Sequence, residues 1–284
     1  MSQIKAKRKK LSAGDKAFNV FNYLLFGVFT LICIYPFYYM IINTISANNL
    51  SASGAINFLP QGVHLSNYKA LLELNGLGSA ALVSIGKTVI GTALTVMATA
   101  FLGFMFTQER MWKRKFWYRF VVITMYFNAG LIPMFITMKN LNLTNTFWVY
   151  VIPTIIQPFN IILVKTYVES LPRALQEAAE IDGCGKIGIL FRILVPVVKP
   201  ALMTASIFAF YWIWQDFFQP LIFMNTTEKF TLSLALNLFL DPNTYNNYGA
   251  LFAMSLLSLI PALVIFIIFQ SYLVEGIAMD GIKG

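Results

Sequence analysis

Six long apolar runs decide what this chain can fold into. They fall at about 18–45, 79–106, 120–138, 147–167, 201–224 and 251–273, with the charged residues gathered in the gaps between them. A run of about 20 apolar residues spans the hydrocarbon of a bilayer, where backbone N–H and C=O groups find no water. Such groups must pair within their own segment, so each run reads as a transmembrane helix. Only 12% of the residues are charged and 58% are hydrophobic, against about 25% charged in a soluble domain. No soluble domain and no internal repeat stand out. Aromatic residues reach 15%, with 26 Phe, which suits lipid-facing surfaces and interfacial belts.

The basic residues orient the spans. Of 21 Lys and Arg, six lie within 1–19 and five in the loop that holds Arg110, Lys113, Arg114, Lys115 and Arg119. Five more are Lys165, Arg173, Lys186, Arg192 and Lys199, and one is Lys283; Lys69, Lys87, Lys139 and Lys229 are the remaining four. Loops rich in Lys and Arg stay cytoplasmic, which puts both termini and the stretch 171–202 inside. The net charge of +9 is thus a matter of topology and implies no nucleic acid partner. The first run is too long for the roughly 7–15-residue core of a signal peptide and is read as an uncleaved span. A short helix is expected near 66–74 in the first outer segment. Pro36 is expected to bend span one, and Pro153 and Pro158 to break span four. Cys33 and Cys184 stand far apart and His64 is the sole histidine, so neither a disulfide framework nor a metal site is expected.

Between spans four and five lies a polar island, LPRALQEAAEIDGCGKIGILFRILVPVVKPAL. Apolar residues at helical spacing predict a short surface helix over 171–182, with Pro172 in its first turn and Gly183 at a left-handed end. A second helical run is expected over 186–194, closed by Pro196 and Pro200. Two short helices joined by glycine make a compact knob. Its alanines let another protein approach closely, while Glu177, Glu180 and Asp182 set the register by charge.

These residues carry a resemblance. Glu177-Ala178-Ala179 is followed after three residues by Gly183, and after nine more by Ile193-Leu194-Val195-Pro196. The pattern resembles the signature of the inner-membrane permease subunits of ATP-binding-cassette importers, with Val195 where leucine is usual. The C-terminal GIAMDGIKG is similar to the ends of maltose-transporter-type carbohydrate permeases. The stretch GLIPMFITMKNLNLTNTFWVYVIP resembles the branch serving oligosaccharides and polysaccharides such as alginate. The resemblance implies an all-α membrane protein of six transmembrane helices, both termini cytoplasmic, with a short cytoplasmic coupling helix between spans four and five. The expected divisions are a basic tail at 1–17, a six-span permease domain at 18–275 with its coupling segment at 171–196, and a cytoplasmic tail at 276–284. Glu177, Ala178, Ala179, Asp182, Gly183, Ile193 and Pro196 would couple to an ATPase. Gly281, Lys283 and Gly284 would lie near it as an extended tail.

The implied partners are a second homologous permease, an ATPase dimer, an extracytoplasmic substrate-binding protein, the sugar and membrane lipid, in a bacterial inner membrane. ATP and Mg would be bound by the ATPase and no cofactor by this chain, whose part is to form half of an alternating-access path. Spans three to six would rock as the knob moves with the ATPase. The residues agree that the chain itself holds no nucleotide. Gly86-Lys87-Thr88 ends like a phosphate-binding loop, but Ala81 replaces the first glycine and the segment is an apolar helix.

Lys87 is nevertheless unusual, lying about eight residues inside a span. Either its stem snorkels to the outer surface, or it faces the path and helps an anionic sugar pass. Tyr211, Trp212, Trp214, Gln215 and Asp216 fall within six residues of span five. Rings can stack on sugars and Gln or Asp can bond hydroxyls; an aromatic belt with Asp216 bonded to a neighbouring helix is the plainer reading. Asn128, Gln157 and Asn160 are interhelical hydrogen bonders or path residues. A membrane-embedded enzyme would need a catalytic constellation within the spans, and there is one histidine and no close carboxylate pair at membrane depth. A secondary transporter would not need the Glu-Ala-Ala knob.

Overall fold

A computed structural model of the chain describes residues 12–239 and 247–281, and the regular structure within them is helical. Helix α1 (Ala13–Thr44) begins at a capping box that the apolar pattern did not reveal. Ser12 N–H donates to Asp15 Oδ2 at 3.0 Å and Gly14 N–H to Ser12 Oγ at 3.3 Å. The helix runs unbroken through Pro36. Short helices α2 (Asn48–Ala52) and α3 (Ser66–Leu72) follow, the latter at the predicted place. Helix α4 (Leu77–Met105) is the second unbroken run, about 44 Å long at 1.5 Å per residue.

The middle of the chain is discontinuous. Helices α5 (Arg114–Tyr126) and α6 (Leu131–Asn140) meet at 119°, so the expected continuous span over 120–138 is corrected to a broken pair. Pro133 lacks an N–H for the carbonyl of residue 129 and crowds it, and Gly130 takes φ +89° while its N–H donates to Asn128 Oδ1 at 2.9 Å. Two 3₁₀ turns, Phe147–Tyr150 and Ile152–Thr154, lead at 41° into α7 (Pro158–Ser170). Span four is thus broken at the two prolines, as expected.

Helix α8 (Ala174–Ile181) is the predicted surface helix. After it, α9 (Lys186–Gly188), a π-helical stretch (Ile189–Leu194) and α10 (Val195–Val197) form one run, and α11 (Lys199–Gln215) leaves it at 84°. Pro196 therefore does not close the second helix of the island. Val195 N–H reaches back five residues to the Leu190 carbonyl. The widened turn relieves the clash a proline ring makes with the carbonyl four residues earlier. Helices α12 (Phe218–Phe223), α13 (Leu232–Phe239) and α14 (Tyr248–Gly281) complete the order. Span five, expected as one run over 201–224, is corrected to α11, a break at 216–217, and α12. The last helix reaches Gly281, so 276–281 are helical rather than an extended tail; Lys283 and Gly284 lie outside the described residues.

By length and composition α1, α4 and α14 can each cross a membrane alone, and three more crossings are available if each bent pair counts as one. The chain divides into two compact units. The first runs to Leu71 and takes in Asn247–Leu256. Buried Asn43 donates to the carbonyls of Tyr39 (2.9 Å) and Ile56 (3.3 Å), and Asn67 donates to Thr44 O (2.9 Å). Gly249 packs so closely that a Cβ there would overlap the Asn67 amide.

In the second unit α4 packs against α7 and α11. One core cluster joins Phe104, Val164, Val168, Leu190, Leu194 and Ala205; another joins Tyr150, Val151, Phe223 and Met224. Helix α4 is polar inside and apolar outside, the arrangement lipid favours. Ser84, Lys87, Thr88, Gly91 and Thr95 are buried, while Leu82, Ile85, Val89, Met97 and Phe101 are exposed.

Candidate functional site

The polar island folds as a knob with two faces. Helix α8 ends in a Schellman motif: Gly183 takes φ +78°, its N–H donates to Glu180 O at 3.1 Å, and Cys184 N–H donates to Ala179 O at 2.9 Å. Gly183 is therefore required by the backbone, as expected, although a Cβ there would meet nothing within 4 Å. Ala179 turns inward, 5% exposed, into the cluster of Phe104, Val168, Leu190 and Leu194. Its smallness seats α8 on this chain's own core. Ile193 packs against the same cluster, while Pro196 is exposed.

The opposite face holds Ala174, Leu175, Glu177, Ala178, Ile181 and Asp182, all exposed, with Ile181 at 86%. Aliphatic groups thus stand beside two carboxylates on the outward face of a helix whose other face is packed on the core.

A polar joint that sequence reasoning missed ties α8 to the end of α4. Arg173 pairs with Glu109 at 2.8 Å, Gln108 Nε2 donates to Gln176 Oε1 at 3.2 Å, and Arg114 donates to Thr107 O at 2.9 Å. A cavity of about 380 Å³ lies among these groups, lined also by Arg110, Glu169 and Glu180. Lys186 bonds Glu180, and that hydrogen bond and charge, with Arg110 adding to them, hold the Glu180 carboxyl below its usual range. A lowered carboxyl pKa stabilises the fold above the unfolded pKa, and the contribution is lost as pH falls through the folded value. The two bonds that join α8 to the end of α4 link residues 64 and 68 positions apart in sequence, so periodicity carried no sign of them. Because Arg173 and Glu109 are exposed, Glu109→Ala is expected to change folding stability by less than about 1 kcal/mol in thermal unfolding.

Within the spans, α4 serves the breaks of its neighbours. Thr95 Oγ1 donates to Thr154 O at 2.9 Å, where the 3₁₀ turns end. Ser84 Oγ accepts from Leu232 N–H at 2.7 Å, where α13 begins. Lys87 Nζ donates to Asp216 O at 2.8 Å, where α11 has ended. Residues 84, 87 and 95 lie on one helical face, the only hint the sequence offered. Lys87 is 1% exposed, so snorkelling is corrected: the Asp216 carbonyl supplies a buried acceptor, and the ammonium does not reach the surface.

The other candidates part company. Asn160 Nδ2 donates to Ala205 O at 3.4 Å across two helices, whereas Gln157 bonds its own preceding turn at Thr154 O (3.3 Å) and Asn128 its own loop. Asp216 Oδ1 accepts from Phe218 and Gln219 N–H (3.1 and 3.2 Å), capping the following helix α12 rather than bonding a neighbouring one. Trp214 is buried, stacked on Phe210 with its indole donating to Ser258 O at 2.8 Å. Tyr211, Trp212 and Gln215 are exposed on the last turn of α11.

Known proteins share this architecture. Residues 99–278 match the family described as binding-protein-dependent transport system inner membrane component. Protein LplC of Bacillus subtilis is 30% identical over 95% of this chain and 96% of its own length. The polygalacturonan/rhamnogalacturonan transport system permease protein YtcP of the same organism is 26% identical over 93% and 99%. Among solved structures, a chain of a bacterial ABC transporter involved in the import of the acidic polysaccharide alginate superposes with TM-score 0.85 at 27% identity, covering 93% of this chain and 99% of that one. With the family match taking in α8 and its knob, this chain belongs to the inner membrane components of binding-protein-dependent transport systems.

Proposed function

We propose that this chain is the transmembrane subunit of an ATP-driven importer of oligosaccharides or polysaccharide, supplying half of the path. The observation that carries this is the company it keeps along nearly its whole length. YtcP is named for polygalacturonan and rhamnogalacturonan, and AraQ of Bacillus subtilis, 28% identical over 92% of the chain, for arabinooligosaccharides. The structural neighbour belongs to an alginate importer. On this reading the chain crosses the membrane six times with both termini inside, and works beside a second permease, an ATPase dimer that holds ATP and Mg, and a binding protein outside. The exposed face of α8 is the ATPase seat, and Tyr211, Trp212 and Gln215 border the path. Asn128 and Gln157 belong to the same path surface, and Gly281, Lys283 and Gly284 approach the ATPase. ATP closes the ATPase dimer, α8 moves with it, and the spans rock to open the path outward.

The test is uptake of a labelled oligosaccharide by proteoliposomes holding the complete complex. Uptake should require ATP and stop with vanadate; uptake driven by an ion gradient without the ATPase would make the chain a secondary transporter. The topology is checked separately in a background lacking Cys33 and Cys184. A cysteine at Thr144 or Asn247 should react with an impermeant thiol reagent from outside. One at Lys113 or Gln176 should react only after the membrane is opened, and the reverse pattern would overturn the six-span assignment.

A further inference from the structure

The ammonium of Lys87 is buried, yet among the described residues no carboxylate lies within 4.0 Å of it. Its Nζ donates to the main-chain oxygen of Asp216 at 2.8 Å and lies 5.4 Å from the centroid of the Tyr150 ring. The Asp216 carboxylate caps α12 through Oδ1 and acts on Lys87 only as a nearby charge, without an ion pair. The oxygen that receives Lys87 belongs to the residue at which α11 stops, where the backbone turns extended (φ −65°, ψ 111°). The last carbonyls of a helix lack partners within it and carry the negative end of its dipole, so a cation is the fitting cap. The nearby carbonyl of Trp214 is met by Ser233 Oγ at 2.8 Å. One turn later on α4, Gly91 lets Ile213 approach so closely that a Cβ would stand 2.9 Å from Ile213 Cδ1. The last turn of α11 is thus fixed on its inner side by α4 and α13, while Tyr211, Trp212 and Gln215 stand exposed on its outer side.

We propose that Lys87 is a positioning residue of the translocation path: it clamps the end of α11 and thereby sets Tyr211, Trp212 and Gln215, without touching the transported molecule. This rests on the reading of that outer face as part of the sugar path. Because the ammonium serves a helix end, it does not read the charge of the substrate. A discontinuous membrane helix held at its break is a common frame for a binding surface, and here the break is held from a continuous neighbour.

The clamp is tested without any substrate, in the purified complex with its partner permease and ATPase. Cysteine is placed at Ile213, 3% exposed, or at Ala205, fully buried, in a background lacking Cys33 and Cys184. Lys87→Met should speed maleimide reaction at 213 about tenfold through local opening, leave 205 unchanged, and be reversed to within about twofold by Lys87→Arg, which keeps charge and donors. An unchanged rate at 213, or an equal rise at 205, would overturn the clamp. Should the Met variant fail to assemble, Lys87→Gln, whose donor is one bond shorter, should raise the rate at 213 about threefold, and no rise there overturns the proposal. A second readout compares uptake of an oligogalacturonide and a neutral arabinooligosaccharide, whose losses in Lys87→Met should match; a larger loss for the anionic sugar means direct charge contact and sinks the positioning role. Protection of a cysteine at Gln215 by either sugar tests the path reading itself, and its absence would leave the labelling result at 213 standing.

Discussion

Glu177→Lys is expected to leave the chain folded in the membrane while cutting substrate-stimulated ATP hydrolysis by the assembled transporter about tenfold or more. The side chain is exposed and forms no ion pair within 4.0 Å among the described residues, so its reversal costs this chain only a favourable charge in the first turn of α8. On the proposed seat it meets a partner cation at the rim of an apolar patch made by Leu175, Ala178 and Ile181. Placing like charges in that contact costs several kcal/mol, and each 1.4 kcal/mol is a factor of about ten in assembly or coupling.

Two companions sharpen the test. Ala178→Trp fills the surface of approach from outside and should uncouple equally. Ala179→Trp drives a ring into the core cluster and should lower the yield of folded chain instead. Stimulated hydrolysis that survives both Glu177→Lys and Ala178→Trp would remove α8 from the ATPase seat.

The contrast between those two alanines marks where sequence reasoning stopped. The signature places both in the motif, and helical spacing predicts α8, but which of two adjacent small residues faces inward depends on how α8 lies on α4 and α7. Local chemistry was readable in part: Gly183 as a left-handed end, Pro153 and Pro158 as breaks and Ser66–Leu72 as a short helix stand where expected, whereas Pro36 does not break α1 and Pro196 does not close its helix. Breaks in α5–α6 and α11–α12 were not readable. Apolar runs over 120–138 and 201–224 have enough hydropathy for a continuous span, and hydropathy is blind to whether a backbone carbonyl is met by its own helix or by Lys87 of another. The same blindness hid Ser84 and Thr95, ordinary polar residues in an apolar run until Leu232 and Thr154 supply their partners. Lys87 drew attention as a charge at membrane depth, and its acceptor, 129 residues away, could not be found on its own span.

Packing between α4 and α7 yields the other large effect, and here geometry decides its sign. Gly→Ala in a helix interior ordinarily stabilises by about 0.5–1 kcal/mol, since glycine loses more backbone entropy on folding. At Gly91 that gain should survive in part. The Cβ would meet the Cδ1 end of Ile213 at 2.9 Å, and a terminal methyl can rotate away. At Gly103 the new atom would stand 3.0 Å from Val164 Cγ1, 3.2 Å from Val164 Cβ and 3.3 Å from the main-chain nitrogen of Lys165. Valine is held at χ1 by its branch and a backbone nitrogen cannot yield, so the helices themselves must part. Gly103→Ala is therefore expected to destabilise by about 1–3 kcal/mol, the usual range for overpacking, and Gly103→Leu by more. Thermal unfolding of the detergent-solubilised chain should rank wild type close to Gly91→Ala, then Gly103→Ala, then Gly103→Leu. Val164→Ala should recover part of the Gly103→Ala loss by removing the crowding Cγ1 methyl while the Cβ at 3.2 Å remains, a coupling that independent sites would not show. Since α7 leads within four residues into α8, prising α7 from α4 also shifts the knob. Gly103→Leu should thus lose stimulated ATP hydrolysis along with stability, whereas Glu177→Lys loses it alone. Equal stability of Gly91→Ala and Gly103→Ala would mean that the close approach of α4 and α7 is not what holds this unit together.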